Sequence, residues 1–123
     1  MKDCVFCNIP EEKIVLESNL SIAFYDTYPV SKGHLLIIPK RHIVDYFDLS
    51  PDEKADIWNL VDKAKVYLDN KYVPDGYNVG ININEAAGQT IFHCHIHIIP
   101  RYTGDIDNPI GGVRGVIPDK RIY

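Results

Sequence analysis

The sequence predicts a domain of β-strands with a single long helix, and three observations predict it. Apolar runs of strand length precede residue 40 and return after residue 77. A single helical stripe lies between them over about 50–70, and turn residues mark the junctions. At 123 residues, with 46% hydrophobic and 24% charged composition, the chain can build one core but not two. It is read as one domain over 1–123 with an irregular tail from about 102. A formal net charge of -4 argues against a nucleic acid polymer as partner, since that function leaves a basic excess. The start, Met1-Lys2-Asp3-Cys4-Val5-Phe6-Cys7, lacks the apolar run of a signal peptide, and no later stretch reaches the length of a membrane span. A cytoplasmic protein without a membrane partner is expected. Three cysteines, two of them spaced Cys-x-x-Cys, point to metal or reduced thiols rather than a disulfide framework.

The elements follow in order. Val5, Phe6 and Ile9 form a short apolar segment fit to cover one side of a pocket or to cap the core. Cys4 and Cys7 are at most half of a tetrahedral zinc site, because a closed structural site takes four N or S ligands. Segments 14–17 and 20–26 are rich in β-formers and separated by Ser18-Asn19, which reads as a hairpin. Ile22, Phe24 and Asp26 share one face of its second strand. That face suits a nucleoside, with the base on the apolar residues and the ribose on the carboxylate, and it equally suits a core-facing strand that ends in a turn aspartate. After the turn at 30–33, His34 opens the nearly unbroken apolar run 35–39, a buried central strand. His42 follows the exposed Lys40-Arg41 and can turn back towards a metal.

Ser50, Pro51 and Glu53 mark a helix start, as N-cap, first helical residue and reciprocal capping partner. The helix runs to about Asn70 with Ile57, Leu60, Val61, Ala64 and Leu68 on its apolar stripe. Pro74-Asp75-Gly76 turns the chain into a strand over 77–84, with Asn78, Asn82 and Asn84 on one face. Asparagine is a poor strand former, so that face has polar work to do, and Asn82 is the best placed. After Arg101 no periodicity remains.

The stretch from Gly88 to Arg101 organises the rest. In an extended strand alternate side chains share a face, which would put His93, His95 and His97 in one row opposite Phe92, Cys94, Ile96 and Ile98. Such a row suits a histidine-rich structural strand, a His-ligated metal, or phosphoryl chemistry. In the last case one imidazole attacks phosphorus, another donates a proton, and the turn Gly88-Gln89-Thr90 supplies backbone N–H groups.

These residues resemble those of the histidine triad (HIT) family. Gly88-Gln89-Thr90 leading into His93-Cys94-His95-Ile96-His97-Ile98-Ile99 is similar to the family's His-x-His-x-His signature. Gly33-His34-Leu35-Leu36-Ile37-Ile38-Pro39-Lys40-Arg41-His42 is similar to its second signature. The likeness extends from about Cys4 to Arg101. The tail resembles that of a bacterial-type subgroup, with Ile110 where the subgroup carries arginine. The resemblance implies an α+β fold, a HIT-like curved antiparallel sheet with one long packing helix and a short N-terminal helical segment, assembled as a homodimer. It implies purine nucleotides as substrates, cleaved or transferred at the α-phosphorus. His95 would be the nucleophile, His97 would hydrogen-bond phosphate or leaving group, and His93 and His34 would orient the site. Asn82, Gly88, Gln89 and Thr90 would lie along the phosphates, Asp26 would hold the ribose, and Val5, Phe6, Ile9, Ile22 and Phe24 would surround the base. Some bacterial members hold a structural zinc, which would map onto Cys4, Cys7, His42 and His93, with no catalytic metal.

Elementary chemistry agrees with that assignment. An imidazole with an unperturbed pKa near 6.5 is largely neutral at cellular pH and can attack without a separate strong base. The leading expectation is a nucleotide hydrolase or transferase acting on adenosine phosphoramidates, dinucleoside polyphosphates or acyl-nucleotides. The alternatives are a purine-nucleotide-binding or scaffold protein with little catalysis and, behind it, a His-ligated metal hydrolase.

Overall fold

The computed structural model describes residues 1–123. Five strands form one antiparallel sheet: β1 (Ile14–Glu17), β2 (Ser21–Tyr25), β3 (Leu35–Pro39), β4 (Gly76–Ile81) and β5 (Ile96–Arg101). Their spatial order is β1-β2-β3-β5-β4, so β3 is central and β4 is an open edge. The single long helix, α1 (Pro51–Tyr72), connects β3 to β4. The expected α+β class with its curved-sheet family architecture is thus the observed one, and the N-terminal helical segment is a pair of short 3-10 turns at Val5–Asn8 and Glu11–Lys13.

Strand alternation divides the core into two layers. Ala23, Leu35, Ile37, Ile96 and Ile98 point to the helix and pack with Ile57, Leu60, Ala64 and Leu68. Ile22, Phe24, Leu36 and Ile38 point the other way and are covered by Phe6. Both faces of β3 are therefore dry, which is why its sequence is apolar throughout. The hairpin of β1 and β2 is fastened to α1 by two hydroxyls, since Ser18 Oγ and Ser21 Oγ both donate to Asp56 Oδ2 at 2.5 and 2.6 Å.

The start of α1 is fixed as its sequence requires. Glu53 N–H donates to Ser50 Oγ at 3.1 Å, and Ser50 N–H donates to Glu53 Oε1 at 2.9 Å. Arg41 adds a two-pronged contact to the same carboxylate, Nε to Oε2 at 3.0 Å and Nη2 to Oε1 at 2.7 Å, which holds the Glu53 carboxyl down to about 2. Replacing Ser50 by alanine is expected to lower stability by about 1 kcal/mol in urea unfolding, with activity per folded molecule unchanged. The helix stops at Val73, which closes it in the left-handed conformation (φ 52°) before Pro74.

Two expectations are corrected here. β4 ends at Ile81 rather than continuing to residue 84: Asn84 adopts φ 72° and its side chain donates to Asp45 Oδ2 at 2.9 Å, so Asn84 does not share a strand face with Asn78 and Asn82. β5 begins at Ile96, so residues 92–95 are not extended strand. The Cys94 N–H donates to the carbonyl of Ile43 at 2.6 Å, outside the sheet ladder, yet Phe6 lies against both His93 and His95, and His95 stands 5.1 Å from His97, so the three imidazoles keep to the face opposite Ile96 and Ile98.

Candidate active site

Backbone partners fix the tautomers of three histidines of the cluster, and the third of them fixes the fourth. His93 Nε2 lies 2.8 Å from the carbonyl of Pro39, which can only accept, so Nε2 carries the proton and Nδ1 is bare. His95 Nδ1 lies 2.8 Å from the carbonyl of His93, so Nδ1 carries the proton and Nε2 is the free lone pair. At the mouth of β3, Val30 N–H donates to His34 Nδ1 at 3.1 Å, which leaves the His34 proton on Nε2. That N–H faces His97 Nδ1 at 3.0 Å, so His97 accepts there and keeps its own proton on Nε2. One imidazole therefore offers a nucleophilic nitrogen and its neighbour an N–H donor, with ring centroids 5.1 Å apart.

Burial sets the protonation of the second pair. It pushes His97 down to about 4, helped by the neighbouring His95 and His34 against the pull of Asp26. It also lowers His34, where it outweighs the Asp26 carboxylate 3.5 Å away. Between the unfolded value of 6.5 and the folded one, the unfolded chain takes up protons that the folded protein refuses, so stability falls as pH drops from 6.5 towards 4. Urea midpoints at pH 7 and pH 5 should show this loss, and replacing His97 by asparagine should shrink it.

A cavity of ≈ 590 Å³ lies over this face of the sheet. Val5, Phe6, Ile9 and Phe24 form its apolar end, Asp26 and Asn82 its polar flank, and Gly88, Thr90, His95 and His97 its floor. Phe6 stands edge-on to both Phe24 and His95, with centroids at 5.4 and 5.1 Å, so the N-terminal turn walls the nucleophile. Of the residues expected here, Ile22 and Gln89 are absent from the lining. Ile22 packs beneath Phe6 and Phe24. Gln89 is buried because its carboxamide is consumed by backbone: Nε2 donates to Val44 and Ile91 carbonyls, and Oε1 accepts from Asn84 N–H. It braces the loop that Gly88 turns with φ 96°. His93 also stands outside the cavity, fully buried, and bears on His95 through its carbonyl. Lys13 and Tyr28 line the cavity without having been singled out; an exposed lysine and a Tyr-Pro turn carry no local signal of a site.

His93 instead faces Cys4, Cys7 and His42. Its Nδ1 is 3.5 Å from each thiol sulfur, and Cys7 Sγ is 3.2 Å from His42 Nδ1. Tetrahedral zinc with ordinary Zn–S and Zn–N bonds sets S and N ligands about 3.5 Å apart, so these separations fit one ion. The bare Nδ1 of His93 points to the sulfurs while its Nε2–H is anchored on Pro39, the outer hydrogen bond that orients a metal-ligating histidine. Asp26, His34 and His97 are also close together, but there His34 Nε2 carries the proton that Val30 dictates. It offers no lone pair to an ion.

Comparisons with known proteins place these features in a family. Residues 8–104 match the family model described as the HIT domain. An adenosine 5'-monophosphoramidase of Schizosaccharomyces pombe is 41% identical over 102 residues, covering 80% of this chain and 74% of that one. The crystal structure of a HIT family protein from Bacillus anthracis matches with TM-score 0.78 and 39% identity, covering 84% of this chain and 76% of that one. A Zn-bound histidine triad family protein from Mycobacterium smegmatis matches with TM-score 0.76 and 34% identity, over 85% of this chain and 78% of that one.

Proposed function

This chain belongs to the HIT family, whose members are nucleotide hydrolases and transferases, and from that premise we propose that it cleaves purine nucleotides at the α-phosphorus through a nucleotidyl-histidine. Adenosine phosphoramidates, dinucleoside polyphosphates and acyl-nucleotides are the substrate classes. The observation that carries the reading is the opposed tautomers of His95 and His97 at the floor of one cavity.

The base lies against Phe6, Ile9 and Phe24, the ribose on Asp26, and the phosphates along Asn82, Gly88 and Thr90. His95 Nε2 attacks phosphorus while the bond to the leaving group breaks. His97 Nε2–H donates a hydrogen bond to the departing nitrogen or oxygen, which takes its proton from solvent. The adduct carries an imidazolium whose Nδ1–H remains bonded to the His93 carbonyl, which stabilises the charge as it forms. Water then attacks phosphorus, gives its proton to solvent as the nitrogen–phosphorus bond breaks, and releases His95 neutral. His34 is a positioning residue, holding the His97 proton on the nitrogen that faces the substrate.

Cys4, Cys7, His42 and His93 would hold a structural zinc. Four protein ligands leave such an ion no open position, and what it supplies is a tie between the N-terminus and the catalytic loop. A homodimer is part of the same reading, supported by the open edge of β4, where Val79 is exposed. None of the three cysteines is in a disulfide, which suits a reducing cytoplasm.

The test is to mix the protein with an adenosine phosphoramidate, quench within one turnover, and search by mass spectrometry for AMP on the peptide containing His95. An adduct is expected. AMP binding with neither product nor adduct would replace this reading with that of a binding protein.

A further inference from the structure

A second cavity of ≈ 620 Å³ adjoins the first and shares Asp26, Tyr28, Asn82 and His97 with it. It contains neither His95 nor the Gly88–Thr90 turn, so it lies beyond His97 rather than beside the nucleophile. Its walls are mostly apolar: Val30 from the loop before β3, Ile99 from β5, and Ile106, Val113 and Val116 from the tail. The polar groups that line it differ in what they have left to give. Arg101 is spent, with Nε and Nη2 each 2.8 Å from the Asp105 carboxylate and Nη1 2.7 Å from Asn78 Oδ1. Arg121 is not. It is half-buried, its Nη1 donates only to the carbonyls of Asn108 and Ile110 at 2.8 and 2.6 Å, and it pairs with no carboxylate. The tail also holds it in place: Gly111 (φ 89°) packs so tightly on the Arg121 carbonyl that any side chain there would collide with it.

We propose that this chamber is the leaving-group subsite and that it selects a leaving group with an apolar body ending in an anion, received by Arg121. The proposal rests on the nucleotidyl-histidine reading and specifies it. A nucleotide seated in the first cavity has its α-phosphorus at His95, and the group that His97 hydrogen-bonds departs past that ring into the second cavity. The apolar walls give the body of that group its affinity. Arg121, the guanidinium of this cavity without a counter-charge, gives the discrimination, because a charged hydrogen bond is made only by a ligand that carries the anion.

The probes are two matched series of adenosine 5'-phosphoramidates, one of n-alkylamines and one of ω-amino carboxylates of graded chain length. For the wild-type chain the carboxylate series is expected to reach kcat/KM about tenfold above the alkyl series at one favoured length, with the preference falling as salt rises. In Arg121→Gln the two series should become equal, alkylamide turnover should stay at the wild-type level, and Arg121→Lys should keep part of the preference. A nucleoside diphosphate analogue with a second phosphate in place of the carboxylate distinguishes the source of the anion by which series Arg121 favours more. No carboxylate preference at any length, or a preference unchanged in Arg121→Gln, overturns the subsite. Loss of the His95 adduct with every substrate, wild-type included, overturns the underlying reading instead.

Discussion

Asparagine in place of His95 is expected to lower turnover by about 10⁴-fold or more, the scale seen when an enzyme loses the atom that attacks. AMP affinity should change little, since the base and ribose meet Phe6, Phe24 and Asp26 rather than this imidazole. The contrast with His97 sharpens the test. Replacing His97 by asparagine removes the imidazole that hydrogen-bonds the leaving group but leaves the nucleophile, so a substrate whose leaving group departs without that help should still load His95. Adduct formed from such a substrate by the His97 variant, but never by the His95 variant, separates the two roles. Equal losses with all substrates would mean that the pair acts only to shape the cavity.

Removal of zinc is the second large effect. A strong chelator, or Cys7→Ser, should lower the melting temperature by about 10 °C or more, because a metal bound only by the folded chain contributes its binding free energy to folding. Atomic spectroscopy should find one zinc per chain before treatment. Activity should decline more gradually than stability, since the four ligands lie outside the cavity and reach His95 through the His93 carbonyl and the ring of Phe6. A protein that binds no zinc and melts identically with chelator would reduce the cluster to a thiol-imidazole packing motif.

Much of this was legible in the residues, and the reason differs by element. The apolar run 35–39 announced a central strand because both of its faces are covered. Ser50, Pro51 and Glu53 announced the helix because capping is local chemistry within one turn. The start of β5 was not legible: regular pairing begins only at Ile96, because residues 93 and 94 are claimed by Pro39 and Ile43, partners distant in sequence, although the three histidines still share the face that Phe6 covers. Gln89 misled for a related reason. A carboxamide beside a glycine turn can serve phosphate or backbone, and only the fold showed that Val44, Ile91 and Asn84 claim it. The tail carried no period, yet it supplies Ile106, Val113, Val116 and Arg121 to a cavity wall, because a wall needs only position in space.

The N-terminal turn has one more consequence. Cys4 and Cys7 reach the histidine cluster from the same few residues that lay Phe6 and Ile9 against the cavity. Whatever fastens one end of that peg restricts the other, and thermodynamic reciprocity makes the traffic two-way. With an ion and a nucleotide bound as proposed, a nucleotide pressed on Phe6 would tighten the hold on the ion by the same factor by which the ion would tighten the hold on the nucleotide. Metal supply and substrate supply would then be two readings of one equilibrium.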